Sequence, residues 1–138
     1  MLPIPVSNAK PRVTLFDLDH TLLPMDSDHA WGDYLISLGW VDALEHKRRN
    51  DAFYADYQAS RLDLNEYIRF STAPIVLQGA SNSIAAHDGF MRAVIENAIK
   101  PQARELVRQH QAAGDAVLIV TATNEFVTRP IAKAFGVD

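Results

Sequence analysis

The chain has 138 residues, of which 48% are hydrophobic and 22% are charged, and its formal net charge is −4. This length suits one ordinary domain, or a core with a modest insert, that buries an apolar core without disulfides. The absence of cysteine excludes a disulfide framework, a thiolate metal site and a cysteine nucleophile. No basic run, signal-peptide pattern or membrane-length apolar stretch is found. We therefore expect a soluble, cytoplasmic protein with no nucleic-acid or membrane partner.

Two short apolar runs rich in β-branched residues are predicted to be strands, one at residues 12–16 and one at Ala116–Val120. Near-continuous apolar runs of this length are typical of strands that are buried on both faces of a parallel sheet. The second run lies between two helical patterns. The first begins at Pro101 and is closed by Gly114, and the second covers residues 125–135. This order of elements indicates an α/β fold of the doubly wound type.

The long stretch between the two strands shows only helical patterns. Asp63 is a predicted helix N-cap, and Pro74 is expected to kink or end the helix that follows it. We therefore predict a helical cap domain at residues 27–97. The interrupted α/β core would consist of residues 1–26 and 98–138. An apolar stripe near the start of the cap comprises Trp31, Tyr34, Leu35 and Leu38.

Two aspartates follow the first predicted strand directly, in the order Asp17-Leu-Asp19-His-Thr21. Because alternate residues of an extended segment point the same way, these carboxylates and the hydroxyl can converge where open α/β sheets bind ligands. Neighbouring carboxylates repel and need a cation or a shared proton, and Mg²⁺ prefers such hard oxygen ligands. One carboxylate can act as a nucleophile and the other as a general acid/base.

Two other interpretations of this loop remain open from the residues alone. An Asp-x-Asp that follows a strand is often only a turn held by Asx hydrogen bonds. An EF-hand calcium loop would take its ligands from Asp17, Asp19, Thr21 and Asp28. The EF-hand is disfavoured because Leu22 occupies the position of its turn glycine and because a strand, not a helix, is predicted before it.

Residues 16–22, Phe-Asp-Leu-Asp-His-Thr-Leu, resemble the first motif of the haloacid dehalogenase superfamily, a strand followed by Asp-x-Asp-x-Thr. Residues 117–124, Val-Leu-Ile-Val-Thr-Ala-Thr-Asn, resemble its second motif, a hydrophobic strand that ends in Thr or Ser. Thr121 lies 104 residues after Asp17. This spacing resembles the branch with a helical cap between the two motifs, and within it the phosphoserine phosphatase-like group. The resemblance implies a Rossmann-like core with a parallel sheet.

The resemblance also implies a role for each candidate site residue. Asp17 would attack phosphorus and Asp19 would be the general acid/base. The carboxylate of Asp17 and the backbone carbonyl of Asp19 would bind Mg²⁺. Thr121 and Thr123 would bind the substrate phosphate, although Thr121 alone also fits a helix N-cap, as does Asn124. The implied activity is Mg²⁺-dependent hydrolysis of a small phosphorylated metabolite, such as phosphoserine, through an aspartyl-phosphate.

Two further motifs that the family requires are missing from the sequence. One supplies a Lys or Arg that stabilises the phosphoryl charge, and the other is an acidic pair that completes the Mg²⁺ site. Both normally follow the second motif by several tens of residues, and this sequence stops at Asp138. We therefore expect a fragment of a longer protein that is inactive alone. A phosphotransferase and a non-catalytic module that binds a phosphate or a partner are the alternatives, and the sequence does not indicate an oligomeric state.

Overall fold

The computed structural model describes residues 10–138. Two compact units are present, and each is described by itself. An α/β unit is formed by the described residues up to Ser27 together with Glu96–Asp138, and a helical unit is formed by Asp28–Ile95. The mixed α/β fold class predicted from the sequence is confirmed. Within residues 10–138, no helix has the length and apolar character that crossing a membrane would require.

Two strands and seven helices make up the described chain. In chain order they are β1 (Val13–Asp17), α1 (Ser27–Ser37), α2 (Ala43–Gln58), α3 (Leu64–Gln78), α4 (Ala80–Phe90), α5 (Glu96–Ala98), α6 (Pro101–Ala112), β2 (Ala116–Val120) and α7 (Glu125–Ala134). Met91–Ile95, between α4 and α5, forms a single π-helical turn. Leu18–Leu22, directly after β1, forms a turn with two non-helical residues.

β1 and β2 are hydrogen-bonded neighbours and run parallel, which confirms the prediction that the two apolar runs are strands of a parallel sheet. Val13 lies opposite Ala116, and Asp17 lies opposite Val120. In this register both strands end at the same edge of the sheet. The loop after Asp17 and the loop after Val120 therefore leave the sheet side by side, where parallel α/β sheets bind ligands.

One face of this sheet is exposed, so the prediction that both strands are buried on both faces is wrong. The exposed fractions are 59% for Val13, 62% for Leu15, 47% for Leu118 and 58% for Val120. These side chains share a face because alternate residues of a strand point the same way. Among residues 10–138, no element covers this face, so its apolar side chains remain exposed to solvent.

The helices around β2 have the boundaries that their terminal residues predict. Pro101 occupies the first turn of α6, and Gly114 adopts a φ of 85° after its end, a conformation that glycine adopts without strain. The side chain of Gln111 in α6 donates to the carbonyl of Gly136, past the end of α7, over 2.8 Å. The buried apolar residues of the α/β unit are Leu18, Leu22, Leu23, Ile99, Val107, Val127, Ile131, Phe135 and Val137.

A polar cluster lies near the amino-terminal ends of the two strands. The Asp115 side chain, only 5% exposed, accepts hydrogen bonds from Thr14 over 2.9 Å and from Arg12 over 2.9 Å, and lies 3.1 Å from His110 Nδ1. The hydrogen bond with His110 is the main reason that the pKa of Asp115 lies below its ordinary value, with Thr14 and Arg12 acting in the same direction. This cluster ties the end of α6 to both strands.

The helical unit is organised by aromatic contacts between helices. Trp31 and Tyr34 of α1 pack against His87 and Phe90 of α4, with ring centroids 5.3–5.6 Å apart in the pairs that cross between the helices. Phe90 is fully buried and Trp31 is 2% exposed, as expected for core residues. A second aromatic group joins α2 to α3 and consists of His46, Phe53, Tyr67 and Phe70.

The start of α3 was predicted correctly, and of the two outcomes predicted for Pro74, a kink or an end of the helix, the end is excluded. The Asp63 side chain accepts a hydrogen bond from the Glu66 N–H over 3.2 Å, which confirms it as the N-cap. Pro74 does not end α3, which continues to Gln78. A proline inside a helix removes one backbone hydrogen bond, and packing elsewhere along a helix can compensate for this loss.

Candidate active site

The loop after β1 has an unusual backbone. Asp17 and Asp19 are both extended, with φ/ψ of −75°/152° and −69°/131°. His20 has a φ of 56°, a left-handed conformation that is uncommon for a residue with a side chain. Its N–H donates to the carbonyl of Met25 over 3.2 Å, so the chain folds back on itself immediately after Asp19. Backbone strain of this kind is concentrated at functional sites.

Asp17 is exposed and only partly engaged. The Thr21 hydroxyl donates to its Oδ2 over 3.1 Å. Within the described part of the chain, Oδ1 of Asp17 forms no hydrogen bond. The hydroxyl of Thr21 therefore orients the carboxylate and leaves one of its oxygens open to solvent and to a reacting group.

Asp19 is half-buried and both of its carboxylate oxygens are engaged. Oδ1 accepts the backbone N–H of Ser27, the first residue of α1, over 2.7 Å. Oδ2 accepts the hydroxyl of Thr123, from the loop after β2, over 3.0 Å. Ser27 was not among the residues that the sequence predicted for the site, and nothing in the local pattern identifies a backbone N–H eight positions away as a partner.

The loop after β2 contains the two predicted phosphate ligands in different settings. The hydroxyl oxygen of Thr121 accepts the N–H of Thr123 over 3.2 Å, so its own hydrogen remains available to a ligand. The hydroxyl of Thr123 points to Asp19 instead. Asn124 is the N-cap of α7, because its side chain accepts the Val127 N–H over 3.2 Å. This confirms the prediction that Asn124 is the N-cap of α7, and it shows that Thr121 is not the N-cap of that helix.

The donor atoms at the end of β1 are of the type that Mg²⁺ prefers, but they are few. The free carboxylate oxygen of Asp17 is a hard oxygen ligand, as is a backbone carbonyl at Asp19. Among residues 10–138, no group of three or more His, Cys, Asp or Glu side chains is placed to hold a metal. The residues of this loop therefore suit part of a magnesium site.

The simpler interpretations of the loop do not agree with its geometry. Within residues 10–138, neither Asp17 nor Asp19 accepts the N–H two residues further on, which an Asx turn would require. β1, not a helix, precedes the loop, so the helix–loop–helix arrangement of an EF-hand is absent at this position. What the loop presents is one free and one fixed carboxylate at the carboxyl end of a parallel strand.

Parallel strands with two carboxylates after the end of one of them form an α/β core whose carboxyl edge suits a ligand-binding site. The sequence model of haloacid dehalogenase-like hydrolases matches residues 14–138, which is nearly the whole described chain. The chain belongs to this family.

Relatives of known sequence or structure agree with this assignment. The chain is 42% identical over 126 residues to a histidinol-phosphatase of Neisseria meningitidis serogroup C (strain 8013). The aligned residues cover 91% of this chain and 57% of that protein. A protein of unknown function from Bordetella pertussis Tohama I superimposes with a TM-score of 0.84 at 44% identity, over 94% of this chain and 59% of that one.

A more distant structure supports the fold alone. A phosphoserine phosphohydrolase-like protein from Francisella tularensis subsp. tularensis SCHU S4 has a TM-score of 0.61 at 15% identity, over 94% of this chain and 55% of that one. The chain thus spans between 55% and 59% of the length of each of these three proteins.

Proposed function

We propose that the protein to which this chain belongs is a Mg²⁺-dependent phosphatase that hydrolyses a small phosphomonoester through an aspartyl-phosphate on Asp17. The observation that carries this proposal is the different setting of the two carboxylates. Asp17 is exposed with one unbonded oxygen, as a nucleophile requires. Asp19 is half-buried and held by two hydrogen bonds, as a positioned acid/base requires.

The reaction takes place in two displacements at phosphorus. A carboxylate oxygen of Asp17 forms a bond to phosphorus, the bond to the leaving oxygen breaks, and Asp19 gives that oxygen a proton. A water oxygen then bonds to phosphorus while Asp19 takes a proton from the water. The bond from phosphorus to Asp17 breaks, which releases inorganic phosphate and restores both carboxyl groups.

Other groups act through charge and position. When bound, Mg²⁺ would neutralise phosphoryl charge, held by the Asp17 carboxylate and the Asp19 backbone carbonyl together with ligands from outside this chain. The hydroxyl hydrogen of Thr121, which no contact in the described chain engages, would donate to a phosphoryl oxygen. Most phosphoryl-transfer catalysis is positioning and charge stabilisation, so the 138-residue chain alone should show little turnover.

The substrate is proposed to be the phosphate ester of a small amino alcohol. The similarity to a histidinol-phosphatase favours histidinol phosphate, and the likeness of the sequence motifs to phosphoserine phosphatases makes phosphoserine the comparison substrate. Both substrates carry an amine near a primary phosphate ester. The local pattern of the helical unit does not distinguish them.

The test is hydrolysis of histidinol phosphate, phosphoserine and an aryl phosphate by the full-length product of the natural reading frame, with and without Mg²⁺. Asp17→Asn should abolish turnover and phosphoenzyme formation, because the amide keeps the shape but is a far poorer nucleophile. Asp33→Asn, on the exposed side of α1, is the matched control and should retain activity. An active Asp17→Asn enzyme would exclude Asp17 as the nucleophile, and transfer of phosphate to an added alcohol instead of water would indicate a phosphotransferase.

A further inference from the structure

The two oxygens of the Asp19 carboxylate have partners of different chemical kind. Oδ1 faces the backbone N–H of Ser27 at 2.7 Å, and this group can only donate a hydrogen bond. Oδ2 faces the hydroxyl of Thr123 at 3.0 Å, and a hydroxyl can donate or accept. The carboxyl group is therefore asymmetric before any substrate is present.

This asymmetry decides which oxygen carries the proton. A proton on Oδ1 would compete with the Ser27 N–H for the same oxygen, whereas Oδ1 as the carbonyl oxygen of a protonated acid keeps that hydrogen bond. Oδ2 can gain or lose a proton without losing its partner, because the Thr123 hydroxyl can rotate and accept the hydrogen bond when Oδ2 is protonated.

We propose that Thr123 is the positioning residue of the acid/base, which holds Asp19 so that Oδ2 is the oxygen that gives and takes the proton. The inference rests on the proposed phosphatase function and names the atom that performs its proton transfers. It also replaces the role that the sequence motif implied for Thr123, because a hydroxyl engaged with Asp19 is not directed to a phosphoryl oxygen.

Thr123 is itself held in place from both sides along the chain. Its N–H donates to the hydroxyl oxygen of Thr121, just after β2, over 3.2 Å. The next residue, Asn124, caps α7 through the N–H of Val127, and its carbonyl accepts the hydroxyl of Thr128 over 3.2 Å. The backbone of Thr123 is thus fixed by the end of one element and the start of the next, as a positioning group requires.

The proton transfers at Oδ2 determine which steps should respond to its removal. An aryl ester leaves without much help from an acid, so phosphorylation of Asp17 by an aryl phosphate needs Oδ2 little. Hydrolysis of the aspartyl-phosphate needs Oδ2 to take a proton from water as the water oxygen bonds to phosphorus and the Asp17–phosphorus bond breaks. Loss of the Thr123 hydroxyl should therefore slow the second step more than the first.

The experiment compares Thr123→Val, Thr123→Ala and Thr123→Ser in the full-length product, with Thr128→Val as the matched control. Thr128 loses the same hydroxyl five residues further on, where it contacts the Asn124 carbonyl and not Asp19. Turnover of an aryl phosphate and the steady-state fraction of phosphorylated Asp17 are measured, the latter by rapid quench and mass spectrometry. Melting temperatures establish that each variant is folded.

For Thr123→Val and Thr123→Ala we expect kcat to fall about 10- to 100-fold, less than the full contribution of general acid–base catalysis because Asp19 itself remains. KM should not rise, and the phosphoenzyme fraction should increase, because the second step is the one that slows. Thr123→Ser should restore most of kcat, and Thr128→Val should resemble the wild type. A raised KM with unchanged kcat would assign Thr123 to phosphate binding and overturn the inference, as would wild-type behaviour of the Val and Ala variants. A wild-type protein that forms no phosphoenzyme would instead overturn the proposed function.

Discussion

Gly89 offers a test of the helical unit in which two opposing effects can be separated. It lies inside α4, where a glycine normally weakens a helix. A Cβ at this position would overlap the hydroxyl oxygen of Tyr34, which belongs to α1, while the Tyr34 Cζ would remain at 3.5 Å, an ordinary van der Waals contact. The hydroxyl group at the far end of the Tyr34 side chain is therefore the group that opposes a larger residue at this point.

The size of each effect follows from this geometry. In the interior of a helix, replacing glycine by alanine stabilises by about 1 kcal/mol. Forcing an extra methyl group into a filled space costs about 1–3 kcal/mol. Gly89→Ala should thus leave the free energy of unfolding unchanged or lower it by up to about 2 kcal/mol. In a Tyr34→Phe background, where the overlapping oxygen is absent, the same change should raise it by about 1 kcal/mol.

The assay is urea unfolding of the wild type, both single variants and the double variant, followed by far-ultraviolet circular dichroism. The expected coupling energy between the two positions is about 1–3 kcal/mol. Gly32→Ala is the control, because its Cβ would lie 2.8 Å from the His46 ring, so Tyr34→Phe should not rescue it. If Gly89→Ala were as stabilising beside tyrosine as beside phenylalanine, the close approach of α1 and α4 would be refuted.

Two further predictions concern stability. Phe90→Ala should lower the free energy of unfolding by about 3–5 kcal/mol, because Phe90 is fully buried. Tyr57→Ala, at a side chain that is 66% exposed, should change it by less than about 0.5 kcal/mol. Equal effects of the two substitutions in urea unfolding would contradict the burial of Phe90. The lowered pKa of Asp115, caused chiefly by its hydrogen bond with His110, should stabilise the fold above the unfolded carboxyl pKa of 3.8. This contribution is lost as the pH falls through the folded pKa, so the urea midpoints of the wild type and Asp115→Asn should converge at low pH, and a constant difference would count against the cluster.

The elements of the α/β unit could be predicted where local chemistry alone determines them. The β-branched runs formed β1 and β2, and Pro101 and Gly114 marked the limits of α6. The exposed face of the sheet could not be predicted, since an apolar run indicates that a strand is suited to burial and not whether another element covers it. The continuation of α3 through Pro74 could not be predicted either, since a proline within a helical pattern indicates an end or a kink.

The candidate site shows the same division between local and distant determinants. Asp17 and Asp19 could be selected from the sequence because their spacing and the preceding strand are local features. The partners of Asp19 could not, since they lie 8 and 104 residues away. The left-handed turn at His20 returns the chain so that the Ser27 N–H reaches one oxygen, and the parallel pairing of β1 with β2 brings Thr123 to the other. The partner of Asp19 Oδ2 therefore depends on a strand register, which no motif within either loop contains.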